Sequence, residues 1–307
     1  MTSARADLSA RDGPTYVTML NLLRRRRGVP SELFYSYWSG AHMQLAARLP
    51  AIHQYWQHQL DFDAGRVWPT IPGIEHDLAE ELRFEGDAEM TFLTETDYAT
   101  YMGAVGVLMD DERNLFEETI SYLAYGDHGR TLFDAITDPS PNGDQQVLKF
   151  MLYVRRADSV VIDAFHERLR AFAESVAGDE HVLRLRMRLV EEYRNEPVAL
   201  KAPGVSNYKP PELQYQAGLE IAFENGLAFR RFTDGERWVS AVPELPSFVA
   251  AIHPFSVRRT YTVYNHGAIT VGGLRSPAVA EQIRTLGAVN QLSPETVAFV
   301  SKAHPAG

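Results

Sequence analysis

The sequence predicts an α+β protein made of two successive units, each with the element order β-α-β-β-α-β. Apolar residues alternate with polar ones along several short segments, which is typical of strands, and recur at helical spacing between them. A polar run with two prolines and a glycine, 138–144, separates two stretches that have the same order of elements. This order is that of the ferredoxin-like fold, a four-stranded antiparallel sheet with both helices on one face.

The first unit is predicted over residues 15–138. Pro30 and Ser31 favour a helix start, and Glu32 lies in the first turn, where its negative charge complements the helix dipole. The segment 63–86 carries glycine and proline residues, so we expect an extended connection, long enough to form a lid or a rim. The predicted strands are 16–23, 52–62, 88–94 and 118–125, and the predicted helices are 31–49 and 97–109.

The second unit is predicted over 145–270 and is followed by a C-terminal helical extension over 271–307. Along 181–193, arginines alternate with apolar residues, which predicts a half-buried strand. Residues 1–14 have no apolar core and are predicted to form a disordered leader. The other predicted strands are 146–154, 215–223 and 256–264, and the predicted helices are 160–176 and 226–241.

Composition excludes several classes of function. The 307 residues are 45% apolar and 23% charged, which is ordinary for a globular protein, and the net charge of −10 argues against nonspecific binding to nucleic acid. The short basic run 24–27 is expected to be a solvated strand end. The absence of cysteine excludes disulfides, thiolate metal sites and cysteine nucleophiles. No apolar run reaches the roughly 20 residues of a membrane span, so we expect a cytoplasmic protein without a membrane partner.

The segment 34–57 carries the most distinctive pattern of the chain. It reads Tyr37-Trp38-x-x-x-His42, then Leu45-Ala46-x-x-Leu49-Pro50, then Tyr55-x-Gln57. This pattern resembles the EthD-type family of dimeric α+β barrel proteins. The resemblance extends over 16–125, where it includes the strand region 86–97 and the acidic segment Asp110-Asp111-Glu112-x-x-x-Phe116.

The resemblance implies a barrel of two ferredoxin-like sheets and a cavity for a hydrophobic small molecule. Because both halves are present in one chain, we expect them to pair internally, and we expect whole chains to associate as a homodimer. Relatives in the wider superfamily include cofactor-free monooxygenases, lactone isomerases, polyketide cyclases and decarboxylases. The second unit lacks the signature, since Phe165-His166 is placed opposite Tyr37-Trp38 and Arg170 opposite His42. We therefore expect one functional cavity per chain.

His42 is the leading candidate for catalysis. An imidazole can accept and release protons near neutral pH, and this one lies at the edge of an apolar helical face. The alternative is a structural histidine that bonds to the following strand.

The strand 52–62 supplies the other candidates. His53, Tyr55 and Gln57 alternate on one face, and Trp56 and His58 share the opposite face. The sequence does not show which face points into the barrel, and an ordinary mixed strand with one solvated face is the alternative. The family signature places tyrosine and glutamine on the first face, so that face is the preferred cavity wall. The predicted catalytic residues are His42, His53 and Tyr55.

Residues expected to hold the substrate combine amide and aromatic groups. Cofactor-free monooxygenases of this fold use an amide and an aromatic side chain to hold an oxidisable ring. Asn21, together with Trp56 or Trp68, provides these residue types. The predicted substrate-binding residues are Asn21, Trp38, Trp56, Gln57 and His58.

No cofactor or metal is expected. His76 lies in a loop between two acidic residues, but no second ligand follows at a recognisable spacing. The nucleophile-elbow, phosphate-loop and dinucleotide-binding patterns are absent from the sequence. Haem remains a minor alternative, because His253 and His266 are available in the second unit but neither stands in a recognisable axial-ligand context.

The function expected from these observations is cofactor-independent acid–base chemistry on a hydrophobic, aromatic or polyketide-like molecule. Cyclisation, isomerisation, dehydration and decarboxylation all fit a base of this kind. The alternatives are an oxidoreductase, either a cofactor-free or a haem-dependent monooxygenase, and a ligand-binding barrel without catalysis.

Overall fold

The computed structural model describes residues 5–195 and 202–301. The first unit contains four strands and two helical segments in the predicted order. Its elements are β1 (Val17–Arg25), α1 (Ser31–Tyr37), a π-helical turn (Trp38–His42), α2 (Met43–Ala46), β2 (Gln54–Asp61), β3 (Gly86–Phe92), α3 (Glu95–Ala104), α4 (Gly106–Leu115) and β4 (Phe116–Tyr125). The helical segment after β3 is broken into two helices, and it extends six residues beyond the predicted end at 109.

The second unit repeats this order after two short strands. The linking strands are β5 (Gly129–Asp134) and β6 (Asn142–Gly143). The repeat consists of β7 (Leu148–Arg156), α5 (Ile162–Ala177), β8 (Val182–Leu189), β9 (Ala217–Phe223), α6 (Gly226–Thr233), α7 (Glu236–Ala241) and β10 (Val249–Asn265). The C-terminal extension contains β11 (Ala268–Ile269), α8 (Val271–Arg275), α9 (Pro277–Leu286) and α10 (Pro294–Ser301).

Strand pairing confirms the ferredoxin-like order in both units. Neighbouring strands follow the order β4-β1-β3-β2 in the first unit and β10-β7-β9-β8 in the second. The two sheets join where β2 pairs with β10, and they join again where β5 pairs with β8. Because β5 follows β4 after a three-residue turn, both junctions lie within one chain, and the two sheets face each other across a shared space, called here the barrel interior. The predicted homodimer stays a prediction, because both facing sheets belong to one chain.

Matching contacts at equivalent positions support an internal repeat. The backbone N–H of Arg25 donates to the side chain of Glu85, and the Arg25 guanidinium bonds to the carbonyl of Val29. In the second unit, the backbone N–H of Arg156 donates to Gln216, and its guanidinium bonds to the carbonyl of Val160.

Each unit packs its helices on the outer face of its sheet. The long connection after β2 belongs to the first unit in sequence, yet Trp68, Ile71 and Ile74 are buried in the helix-side core of the second unit. The Trp68 ring lies 5.3 Å from Phe150 and 5.7 Å from Trp238. The connection that was expected to form a lid or a rim instead packs into the core of the second unit. A void of only about 20 Å³ remains there.

The leader and the basic run differ from prediction. Residues 1–4 lie outside the described residues, but residues 9–12 form a 3₁₀ helix rather than a disordered segment. Arg11 forms an ion pair with the buried carboxylate of Asp134, which anchors this helix to β5. Arg24 contacts Glu117 and Glu118, so the basic run is paired with acids instead of being simply solvated.

The barrel interior contains a buried ionic cluster. Arg186 on β8 lies 2.9 Å from Glu89 of the first unit and 3.2 Å from Glu220 of the second. Arg188 also contacts Glu89, and Lys149 lies 3.1 Å from Glu220. The alternation along β8 was expected to leave one face to solvent. Both faces are in fact buried, because the arginines find carboxylates on strands of both units.

Among the described residues, no helix combines the length and apolar character that crossing a membrane requires.

Asp87 provides a pH-dependent test of the barrel interior. Its Oδ2 accepts a 2.7 Å hydrogen bond from Tyr153, and burial together with the charge of Glu89 raises its pKa to about 7. Between about pH 4 and pH 7 the folded protein holds a proton that the unfolded chain has lost, so Asp87 makes stability fall as the pH rises. We expect Asp87→Asn to raise the melting temperature at pH 8 and to change it little at pH 4.

Thermal unfolding followed by circular dichroism at both pH values measures this effect. Asp144→Asn, in the linker, is the control for loss of one exposed charge. An equal gain at both pH values for Asp87→Asn would contradict the burial argument.

Candidate functional site

A cavity of about 850 Å³ lies between the sheet of the first unit and helices α1 to α4. Its wall is mostly apolar and aromatic, including Met19, Leu23, Met90, Tyr98, Tyr101, Met102, Leu108, Met109 and Leu123. Polar groups of the first unit that line it include Asn21, His42, Tyr55, Glu112, Thr119 and Ser121. An apolar cavity with a few convergent polar groups is the usual form of a small-molecule site.

The cavity lies on the helix side of the sheet and not inside the barrel. The barrel interior is occupied by the ionic cluster and by an apolar cluster that includes Leu20, Tyr153 and Phe255. The expectation of a ligand within the barrel is therefore corrected, because packed side chains already occupy that space.

His42 lies at the end of the π-helical turn Trp38–His42, and both residues line the cavity. The wider turn interrupts the regular helix, and such turns are frequent at functional sites. The His42 ring also packs edge-on against Phe116 at 5.4 Å between ring centroids. The imidazole is thus held in one orientation by apolar contacts.

Asp111 completes a histidine–carboxylate pair with His42. The His42 Nδ1 lies 2.8 Å from the Asp111 Oδ2. An ionised carboxylate can only accept a hydrogen bond, so Nδ1 carries the proton and Nε2 is the basic nitrogen. His42 can therefore act as a base that is oriented by Asp111, as in other histidine–carboxylate pairs.

Asp111 is held in its ionised form by three donors. Besides His42, the Tyr37 hydroxyl and the Asn114 amide donate to its Oδ1 at 2.8 and 2.9 Å. These bonds, chiefly the one from His42, lower the pKa of Asp111 to about 2. Asp111 therefore stays negative at neutral pH and stabilises positive charge on the imidazole.

Glu112 lines the cavity next to Asp111 in sequence, and its pKa is shifted in the opposite direction. Burial raises its pKa to about 7, and Thr119 donates a 3.3 Å hydrogen bond to its Oε2. A carboxyl group with such a pKa can donate a proton at neutral pH. Asp111 and Glu112 were not among the predicted site residues, although the acidic segment of the family resemblance contains both.

Tyr55 lines the cavity beside Gln57. The Gln57 amide donates to the Tyr55 hydroxyl at 2.9 Å and to the Trp38 carbonyl at 3.4 Å. Burial raises the pKa of Tyr55, so its hydroxyl remains protonated and can donate into the cavity. Gln57 itself is fully buried behind Tyr55 and orients it, whereas it was expected to bind the substrate directly.

Asn21 reaches the cavity, but both ends of its amide are already bonded. Its nitrogen donates to the carbonyl of Ala88 at 2.8 Å, and its oxygen accepts from Ser121 at 2.6 Å. Asn21 thus shapes the wall and offers less free hydrogen-bonding capacity than expected.

Three predicted residues are not brought to the cavity. Trp56 and His58 point into the barrel, where the Arg186 guanidinium lies 4.2 Å from the Trp56 ring and His58 contacts Thr260. His53 precedes β2 and packs edge-on against His266. The alternation along the strand separates the two faces as expected, but His53 lies beyond the reach of the cavity wall.

The structure offers one group of potential metal ligands among its described residues. These are His58, Glu89 and Glu220, all buried in the barrel. Lys149, Arg186 and Arg188 already neutralise the two carboxylates, so a divalent cation would add uncompensated charge. These side chains therefore do not fit a metal site.

The histidines considered for haem or metal have other roles. His253 is 2% exposed and contacts the Tyr215 hydroxyl at 2.9 Å, and neither it nor His266 lines the cavity. His76 uses both ring nitrogens for backbone contacts, with Ile71 and Ile252. These residues do not fit an axial haem ligand or a loop metal site.

The second unit contributes to the mouth of this cavity. The residues of the second unit that line the cavity include Ile162, Glu191, Tyr193, Arg194 and Asn207. The backbone N–H of Glu191 donates to the carbonyl of Leu123 on β4 at 2.8 Å, which fixes this segment against the first unit.

The predicted correspondence between residues of α1 and residues of α5 needs correction. The helices α1 and α5 begin at Ser31 and Ile162, so the buried Phe165 matches Phe34 and not Tyr37. The helix α5 is α-helical throughout, whereas the first unit has the π-helical turn that carries His42.

Gly86 gives a steric test of the wall. A Cβ atom at Gly86 would lie 2.5 Å from the Trp38 ring, which is fully buried and stacked on Phe34. We expect Gly86→Ala to destabilise the protein by about 1–3 kcal/mol, because the ring cannot move without disturbing its neighbours. Urea unfolding measures the change. Gly103→Ala, on α3 with open space around it, is the matched control and should be neutral or stabilising.

Two solved structures resemble this chain, and the first of them supports the fold. A "putative monooxygenase" of known structure from Fusobacterium nucleatum shares 6% identity, covers 84% of this chain and 98% of its own, and has a TM-score of 0.51. A second "putative monooxygenase", from Lactobacillus acidophilus, shares 8% identity, with coverages of 83% and 99% and a TM-score of 0.47. At these identities the first likeness shows the fold alone. A search of curated proteins finds no match.

The family comparison concerns the first unit. Residues 26–119 match the model of the EthD domain. The match includes the signature helix with His42, the strand with Tyr55, and both Asp111 and Glu112. The match falls within the first unit and agrees with the resemblance that the pattern at 34–57 implied.

Proposed function

We propose that this protein is an enzyme that carries out cofactor-independent acid–base chemistry on a hydrophobic small molecule. The observation that carries the proposal is one largely apolar cavity lined by His42, which is paired with Asp111, and by the carboxyl group of Glu112. A base and an acid of this kind can move a proton from one part of a substrate to another. Dehydration, isomerisation and cyclisation followed by loss of water belong to this class.

The first step would be removal of a proton from a carbon next to a carbonyl group. His42 Nε2 accepts the proton, and the Asp111 carboxylate stabilises the resulting imidazolium. The Tyr55 hydroxyl is the donor available to the enolate oxygen, because Gln57 occupies only its acceptor side.

The second step would use Glu112. In its protonated form it can donate to a departing hydroxyl group, which leaves as water while a carbon–carbon double bond forms. His42 then returns its proton to solvent and Glu112 regains one. The apolar surroundings that raise the pKa of Glu112 keep it protonated for this role.

The cavity wall favours an aromatic or polyketide-like substrate. Tyr98, Tyr101 and Trp38 offer ring faces, and several methionines provide adaptable apolar contacts.

A cofactor-free monooxygenase is the second candidate. The same deprotonation yields a carbanion that could reduce O2, giving a carbonyl product and water from a methylene group. The fold likeness to the Fusobacterium protein and the position of Trp38 beside His42 support this alternative. Substrate-dependent oxygen uptake separates the two candidates, since dehydration consumes no oxygen.

Replacement of His42 tests the base. Turnover can be sought by mass spectrometry with a panel of aromatic β-hydroxy ketones and anthrone-type ketones. We expect His42→Gln to lower turnover about 100-fold or more, because the base is lost. His53→Gln is the matched control, since His53 lies outside the cavity, and it should retain turnover within about twofold. Full activity of His42→Gln would refute the assignment, and tight binding without turnover by the wild type would favour a carrier.

The pH profile tests Glu112. With the pKa of Glu112 near 7, its protonated fraction falls above that pH. We therefore expect kcat/KM to decline above about pH 7. Glu112→Gln keeps the size of the side chain but cannot release a proton, so it should lower kcat and remove this decline. An unchanged alkaline limb in Glu112→Gln would assign the titration to another group.

A further inference from the structure

Charge is distributed unevenly around the cavity. Arg194 is the only lysine or arginine among the described residues that line it, and it is exposed at the mouth. Glu191 and Glu192 line the same mouth. Acidic groups therefore outnumber basic ones where a ligand enters.

Further carboxylates lie close to this mouth. Asp163 follows the lining residue Ile162, and Glu95 begins α3, the helix that carries Tyr98. Burial, and then the charges of nearby residues including Glu191 and Glu95, raises the pKa of the lining residue Tyr125. Arg156 offsets part of this charge, but it lies 3.5 Å from Glu192 and is thus already paired.

In the described part of the chain, the inner cavity offers no free partner to an anion. His42 is the only histidine, lysine or arginine that lines it there, and the Asp111 carboxylate already pairs with His42. The protonated pair is therefore neutral overall. A carboxylate or phosphate moved from water into this apolar space would lose its hydration without an ion partner.

An inner cation has no strong partner either. Below about pH 7 Glu112 is mostly protonated and therefore neutral. Among the described residues, the remaining polar groups of the inner cavity are hydroxyls and an amide that are mostly bonded to each other. Apolar side chains form the rest of the wall.

The inner cavity near Glu112 and the acidic mouth near Glu191 lie apart along β4. Thr119 bonds to Glu112, and Leu123 bonds to the backbone of Glu191. Four residues of strand span roughly 13 Å. Glu191 therefore lies at the other end of the cavity from Glu112, so a charged substituent placed at that end meets an acidic group.

We propose that the substrate of this site is an uncharged, freely diffusing molecule, and not an acid, an amine, a coenzyme A thioester or a substrate tethered to an acidic carrier protein. The inference rests on the proposed function for the identity of the site, and it adds the charge and the delivery form of the ligand. Phosphate-bearing carriers would bring several negative charges to a mouth that is itself negative.

Three matched probes test the proposal. The compounds 9-anthracenemethanol, 9-anthracenecarboxylate and 9-(aminomethyl)anthracene share one ring system and differ in charge at about pH 6, where Glu112 is mostly neutral. We expect the alcohol to bind at least about tenfold more tightly than either ion, measured by quenching of the protein's tryptophan fluorescence or by calorimetry. Millimolar benzoyl-coenzyme A should not displace the alcohol.

Variants assign the effect to the mouth. Glu191→Gln combined with Glu192→Gln should reduce the ratio of alcohol to carboxylate affinity several-fold. Ser256→Ala, on β10 and outside the cavity lining, is the control and should leave this ratio unchanged. Equal or tighter binding of either ion, or displacement by benzoyl-coenzyme A, would overturn the proposal.

Failure here is distinguishable from failure of the proposed function. The probe measurements need no turnover and can be repeated in His42→Gln. A neutral preference with no activity would retain this inference and remove the catalytic one. Turnover of a carboxylate substrate that depends on His42 would retain the proposed catalysis and remove the inference of an uncharged substrate.

Discussion

The contact of Arg186 with two glutamates from different units determines much of this structure. Its guanidinium bonds to Glu89 on one sheet and to Glu220 on the other, inside the barrel. Buried charges of this kind are tolerated only when fully paired, so the two sheets must face each other in one register. With the interior occupied in this way, the space for a ligand lies on the opposite, helix-covered side of the first sheet.

The order of elements could be predicted from periodicity, but some boundaries and orientations could not. The strand β10 begins seven residues before its predicted start, because Pro254 and the prolines before it disguise a strand whose pairing with β7 comes from distant sequence. Alternation identified the arginine face of β8. It could not show that this face is buried, since the carboxylates that permit burial lie on other strands.

The site shows the same limit. The helical pattern singled out His42 and the strand pattern singled out Tyr55, and both line the cavity. The partner of His42 lies 69 residues away in sequence, and no local pattern indicates that α4 brings Asp111 to it. The π-helical turn and the burial that alters Glu112 are properties of the folded chain. His53 was predicted to be catalytic, but it lies outside the cavity. Alternation shows which face of a strand a side chain occupies, but it does not show how far along that strand the cavity extends.

The two units have diverged in what their helix-covered spaces contain. In the second unit, Trp68 from the neighbouring unit packs among Phe229 and Trp238 and leaves almost no void. In the first unit the corresponding space is open, and the second unit supplies part of its mouth through Glu191 and Ile162. A chain with both units can therefore specialise them separately, which two identical subunits cannot do. One half keeps the cavity and its proton-transfer groups, while the other gains a filled core and provides the support and the entrance.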